Sequence, residues 1–215
     1  NNAPYSNMVH YMTFHLPKRI MENPNHRKSR KIMLQFLKQY IKNPRNIGAI
    51  APSSRLLAQN MMRPIDFRSA KCIVEFGPGT GVFTEKLLCQ KKDETVLILI
   101  EQNKEFCRML RKRFGNRPNF YIIRGSAENA VAIVKKHGFS HADYIVSGLP
   151  FTSLPREVSL KIFKAAKRLI AGDGTFITFQ YTMLKRKFFE EHFKFKDCIH
   201  VLRNLPPAYV FVMGL

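Results

Sequence analysis

The sequence predicts an α/β fold built on a mostly parallel sheet, and three observations carry that expectation. A β-branched run, Cys72-Ile73-Val74, reads as a buried strand that enters the glycine-rich turn Glu75-Phe76-Gly77-Pro78-Gly79-Thr80-Gly81 and opens into a helix near Val82. Short apolar strands then alternate with helical stretches over the following hundred or so residues, as in repeated βα units. The length, 215 residues, suits one such domain with a sizeable core and is too short for two.

The glycine turn has the chemistry of a nucleotide cradle. Glycine lets the backbone visit positive φ and come close to a ligand, where a Cβ would stand in the way. The helix that follows presents free N–H groups to whatever lies in the turn. The next expected strand, Val96–Ile100, leads to Glu101, twenty residues after Gly81, where an acidic side chain can take both hydroxyls of a ribose. Gln102 beside it belongs to the same candidate contact. Glu75 stands two residues before the first glycine, so the pattern is Glu-x-Gly-x-Gly-x-Gly rather than the Gly-x-Gly-x-x-Gly of dehydrogenases.

In chain order, residues 1–25 carry no clear pattern. From His26 to Lys42, Ile32, Met33, Phe36, Leu37, Tyr40 and Ile41 recur at helical spacing among Arg27, Lys28, Arg30, Lys31, Lys38 and Lys42. This basic amphipathic helix either packs its stripe on the domain or lies in the headgroup layer of an anionic membrane. Asn43-Pro44 stops it, dividing an N-terminal segment, 1–45, from a domain over 46–215. Ser53 is a plausible N-cap for a helix reaching about Arg63. Beyond the glycine turn come a helix over Val82–Gln90, the second strand, a helix over Asn103–Phe114 and a third strand over Asn119–Arg124. The third strand ends at Gly125-Ser126-Ala127, where a side chain and a backbone N–H are placed to read an adenine edge. The fourth strand, Ala142–Val146, opens onto Ser147-Gly148-Leu149-Pro150-Phe151-Thr152-Ser153-Leu154-Pro155. In a parallel sheet the ligand crevice lies beyond the strand C-termini, which makes this loop the candidate catalytic segment. A helix over Arg156–Leu169, a strand over Thr175–Tyr181, a short basic helix near Lys185–Phe193 and two closing strands near Lys196–Arg203 and Tyr209–Met213 complete the chain.

Charge is the unusual quantity. Lys and Arg number 36 against 15 Asp and Glu, a net of +21, which attracts polyanions and so points to nucleic acid or an anionic membrane. Residues 1–45 hold nine basic side chains and one acidic, a net of +8, leaving +13 for the rest. No apolar run is long enough to span a membrane as a helix. The four cysteines have no metal-ligand spacing and fit buried thiols in a reducing compartment, and the seven histidines show no ligand pattern either, so no metal is expected.

Four stretches together resemble the bacterial phospholipid N-methyltransferase family: Asn46-Ile-Gly-Ala-Ile-Ala-Pro-Ser-Ser54, Glu75–Gly81, Ser147–Pro155 and Asn204-Leu-Pro-Pro-Ala208. The resemblance covers about residues 31–213. It implies a Rossmann-like class I methyltransferase fold: a mostly parallel seven-stranded sheet with helices on both faces and an antiparallel C-terminal strand, preceded by the amphipathic helix. It implies S-adenosyl-L-methionine as cofactor, contacted by Glu75, Gly77, Gly79, Gly81, Glu101, Gln102, Ser126 and Ala127. The sequence leaves the oligomeric state open, with a monomer favoured. The resemblance also implies stepwise methylation of phosphatidylethanolamine by a cytoplasmic protein peripheral on the inner face of the cell membrane. There Phe36, Leu37, Lys38 and Tyr40 would meet anionic lipid, and Asn204 would hold substrate or cap a turn. Ser126 stands where related enzymes often carry Asp.

The ribosomal RNA adenine dimethyltransferases are similar in the glycine motif, but their strand-four loop carries Asn where this chain has Gly148, which points away from RNA. Within the loop, Ser147 is a candidate proton relay, as is Tyr181. The rings of Phe151 and Tyr181, with Tyr40, either line a methylammonium pocket by cation–π attraction or pack in the core.

Overall fold

The computed structural model describes residues 52–204 and 206–215. Helix α1 (Pro52–Met62) precedes β1 (Cys72–Phe76), α2 (Val82–Gln90), β2 (Val96–Glu101), α3 (Lys104–Phe114) and β3 (Phe120–Arg124). A 3-10 turn (Ala127–Asn129) leads into α4 (Ala130–Lys136), β4 (Tyr144–Ser147), α5 (Arg156–Leu169) and β5 (Thr175–Gln180). A second 3-10 turn (Met183–Lys185), α6 (Arg186–Glu190), β6 (Lys194–Val201) and β7 (Ala208–Gly214) follow.

The seven strands form one sheet in the order β3-β2-β1-β4-β5-β7-β6. The first five neighbours pair in parallel, and β7 runs antiparallel to both β5 and β6. This is the Rossmann-like class I methyltransferase arrangement expected from the resemblance. The chain leaves β1 towards β2 and β3 and returns on the other side through β4, so the strand order reverses at the β1/β4 junction. A ligand crevice belongs at the carboxyl ends of those two strands.

Alternation along β1 sends Cys72, Val74 and Phe76 into one core layer and Ile73 into the other, and every residue of β1 and β2 is buried. One layer packs α4, α5 and α6 on the sheet, the other α1, α2 and α3. In α3, Phe106, Cys107, Leu110 and Phe114 form the buried stripe, and the Asn103 side chain caps its start by accepting the N–H groups of Glu105 and Phe106. The first layer holds a dense group of rings in which Phe163 meets Phe151, Phe189 and Phe193 at centroid distances of 5.1, 5.0 and 5.2 Å.

Several boundaries differ from expectation. Helix α1 begins at Pro52, so Ser53 lies inside its first turn. The fourth strand is Tyr144–Ser147 rather than Ala142–Val146, because the register with β1 runs from Ile73↔Tyr144 to Phe76↔Ser147. Helix α4 was not foreseen: Val131, Ile133 and Val134 weaken its local signal, and burial of Ala130 and Val134 decides it. Of the thiols expected to be buried, Cys72 and Cys107 are, whereas Cys89 is exposed on α2 and Cys198 is half-buried.

Candidate active site

At the reversal point the turn after β1 and the loop after β4 touch. Gly77 has φ 62°, and a Cβ there would stand 2.6 Å from Leu149 Cδ2. A Cβ on Gly148 would stand 2.7 Å from the Gly77 carbonyl oxygen, so both glycines are needed for the two loops to close on one another. Gly79, at φ 54°, has open space where a Cβ would point, as a surface that receives a ligand requires. Gly81 caps α2 in the left-handed region, with Phe114 and Leu110 filling the space beside it.

Two carboxylates frame this turn. Glu101 is buried at the end of β2; its Oε2 accepts the Gly79 N–H at 3.1 Å and its Oε1 the Asn103 N–H at 2.8 Å. The side chain is thus tied to the glycine turn on one side and to the start of α3 on the other, with lone pairs left for hydroxyl donors. Glu75 is fully buried on the α1–α3 side of β1. Thr84 Oγ1 donates to its Oε2 at 2.7 Å, while Oε1 is shut off from solvent with no partner among the described residues. Burial pushes this carboxyl up to about 8; the Thr84 bond opposes the rise and the Glu101 charge adds to it. An orphaned buried carboxylate oxygen is costly and calls for a donor or a cation. Thr84 escaped the sequence reading because nothing in its spacing marks it.

In the catalytic loop, Ser147 is fully buried and its Oγ accepts the Leu149 N–H at 3.3 Å, while its carbonyl accepts the Thr178 hydroxyl at 3.3 Å. The Pro150 carbonyl takes the N–H groups of Ser153 and Leu154, which turns the loop back towards α5. Phe151 takes the second of the two roles open to it. Its ring is fully buried against Phe163, Phe176 and Phe189, with centroids 5.1, 6.3 and 5.4 Å away, so it packs the core and does not open onto a headgroup pocket. Tyr181 is half-buried just past β5 and meets Phe179 edge-on at 5.4 Å. Ser126 Oγ accepts the Glu128 N–H at 3.3 Å as the cap of the 3-10 turn, with Ala127 buried behind it, and Gln102 is exposed at the end of β2. Asn204 lies in the β6–β7 connection, away from the glycine turn along the sheet order. Phe36, Leu37, Lys38 and Tyr40 lie outside the described residues. Among the described residues no group of three or more His, Cys, Asp and Glu is placed to hold a metal ion.

No protein-family model matches the sequence. The chain is 35% identical over 179 residues to the ornithine lipid N-methyltransferase of Singulisphaera acidiphila, a match that takes in 80% of this chain and 91% of that protein. The chain belongs to this family of lipid N-methyltransferases. Among solved structures, a Burkholderia thailandensis 1,6-didemethyltoxoflavin N1-methyltransferase with bound S-adenosylhomocysteine superimposes with a TM-score of 0.61 at 14% identity, over 93% of this chain and 92% of that one. It shares the fold. The ribosomal RNA small subunit methyltransferase A of a Synechococcus strain is 31% identical over 91 residues, and the chain spans only 29% of its length.

As a lipid N-methyltransferase of class I fold, the chain takes S-adenosyl-L-methionine as its cofactor. The residues present fit it. Glu101 stands ready for ribose hydroxyls, the open face of Gly79 admits the ligand, and the unpartnered Oε1 of Glu75 suits a cationic methionine end.

Proposed function

We propose that this protein N-methylates the amine of phosphatidylethanolamine headgroups, stepwise towards phosphatidylcholine, at an anionic membrane surface. The domain over 46–215 carries the chemistry and the segment 1–45 the membrane contact. The observation that carries the reading is the likeness, along most of both chains, to a relative that acts on another lipid amine. The net charge of +21 supports an anionic surface. Among the described residues no helix is long and apolar enough to cross a membrane.

When bound, the cofactor supplies an electrophilic methyl group for in-line displacement by a neutral amine. The chain's own work is to hold, orient and dry the reactants. Glu75, Gly77, Gly79, Gly81, Glu101, Gln102, Ser126 and Ala127 hold the cofactor. The segment Ser147–Phe151 forms the wall beside the reacting nitrogen through its backbone, with Gly148 keeping that wall thin. The headgroup ammonium must lose a proton first, and Ser147 or Tyr181 passes it on, aided by the lipid phosphate. Tyr181 offers a ring face to the methylated ammonium.

Adenine N6-methylation of ribosomal RNA is the second reading, supported by the partial likeness to RNA methyltransferases. Gly148 weighs against it, since the 2.7 Å approach of a Cβ to the Gly77 carbonyl leaves no room for a side-chain amide acceptor.

Mass spectrometry of phosphatidylethanolamine vesicles containing anionic lipid, after incubation with enzyme and cofactor, tests the reading. Mono-, di- and trimethylated headgroups are expected; unmodified phosphatidylethanolamine beside a methylated ornithine lipid would replace the substrate. Phe36→Asp with Leu37→Asp should abolish sedimentation with the vesicles, and retained binding would return that helix to a packing role.

A further inference from the structure

At the carboxyl ends of β5 and β6 stand three polar atoms that no other described residue satisfies. Gln180 and Asn204 are 3% and 4% exposed. Gln180 Nε2, Thr182 Oγ1 and Asn204 Oδ1 are all shut off from solvent, with no hydrogen-bond partner among the described residues. Buried polar atoms are nearly always paired, and three orphans at one end of one sheet are not an expected accident of folding.

The topology places them at the same end of the sheet as the catalytic loop, with Gln180 and Thr182 at the end of the strand next to it. Gln180 is two positions on from Thr178, on the same face of β5, and Thr178 bonds the carbonyl of Ser147. Thr182 follows with extended backbone, φ −145° and ψ 154°. Gln180 pairs with Tyr209 of β7, which pairs with His200 of β6, and Asn204 lies just past the end of β6. All three therefore stand at the carboxyl ends of β5 and β6, on either side of β7, at the end of the sheet where the crevice opens. The Asn204 Nδ2 donates to the Pro206 carbonyl at 2.6 Å, which fixes Oδ1 as the unused edge of that amide.

We propose that Gln180, Thr182 and Asn204 form the subsite that recognises the substrate headgroup. A donor on Gln180, a hydroxyl on Thr182 two residues further along and an acceptor on Asn204 complement a group that presents an ammonium or amide N–H next to an oxygen acceptor. Both an ethanolamine phosphate and an acylated ornithine have that chemistry. This proposal rests on the lipid-amine reading above and names the residues that select the amine.

The test uses Gln180→Met and Thr182→Val, which remove the polar atoms and keep the shape. Steady-state methyl transfer is measured with dihexanoyl phosphatidylethanolamine in one arm and a short-chain N-acyl ornithine in the other, along with S-adenosylhomocysteine affinity and the thermal midpoint. Gln180→Met should raise KM for the amine at least about tenfold with kcat little changed, and the arm in which this occurs names the headgroup. Cofactor affinity should be unchanged, and the ligand-free midpoint unchanged or higher, because an unpartnered buried group has been removed. Wild-type KM values in both variants, or a lowered midpoint with cofactor and amine affinity lost together, would overturn the subsite while leaving the lipid-amine reading in place. A wild-type protein that transfers no methyl to any lipid amine would remove the reading and the subsite with it.

Discussion

Glu75→Gln is the substitution whose effect can be worked out most fully from the structure. The Glu75 carboxyl is fully buried, keeps one bond from Thr84, and is pushed from 4.5 up to about 8, first by burial. The folded protein therefore retains a proton that the unfolded chain releases over that interval. The contribution of Glu75 to stability is fully present below pH 4.5 and is lost as pH rises through about 8. One proton over that gap corresponds to about 1.4 kcal/mol per pH unit and about 5 kcal/mol in all as an upper bound. Gln cannot titrate. Its second amide hydrogen-bonding group adds a cost that does not vary with pH, so the slope isolates the carboxyl. Urea unfolding of both proteins between about pH 5 and 9 should show the variant gaining on the wild type by up to about 1.4 kcal/mol per unit and levelling off above about pH 8. A difference that stays flat with pH would refute the account of Glu75 as a buried carboxyl short of a partner. Wild-type affinity for S-adenosylhomocysteine should also rise with pH through this window, and that of the variant should not.

Other substitutions probe the remaining parts of the site. Glu101→Ala removes the acceptor of the Gly79 and Asn103 N–H groups and the candidate ribose ligand, so calorimetric cofactor affinity should fall at least about tenfold; unchanged affinity would put the cofactor elsewhere. Gly148→Ala sets a methyl group against the Gly77 carbonyl and should lower both the thermal midpoint and the transfer rate, whereas full activity would mean the loops do not close as described. Phe151→Ala should cost about 3–5 kcal/mol in chemical unfolding, as expected for emptying an aromatic core site. A loss below about 1 kcal/mol would return Phe151 to the pocket.

The sheet was legible because β1 and β2 are buried on both faces and begin as short apolar runs, Cys72–Val74 and Val96–Ile100, each closed by a carboxylate. The same is true of the glycine turn and of Glu101, whose roles depend on short spacings along the chain. What the sequence hid depends on contacts between distant segments. Phe151 follows a proline in an apparent loop, and only the rings of Phe163, Phe176 and Phe189, which converge from α5, β5 and α6, show that it faces inwards. Gly148 looked like a missing acceptor, and its closeness to Gly77 across the strand reversal supplies a steric reason for glycine there. The Glu75–Thr84 pair spans a turn whose geometry no periodicity encodes. Nothing along the strand Thr175–Tyr181 singles out Gln180; its burial with Nε2 unpartnered among the described residues does.

The most direct test of the central claim is the destination of a labelled methyl group. Enzyme and labelled S-adenosylmethionine are divided between vesicles of phosphatidylethanolamine with anionic lipid and purified ribosomal RNA. Label in the lipid fraction, lost in Glu101→Ala, is the predicted result. Label in the RNA, or in neither fraction, would contradict it.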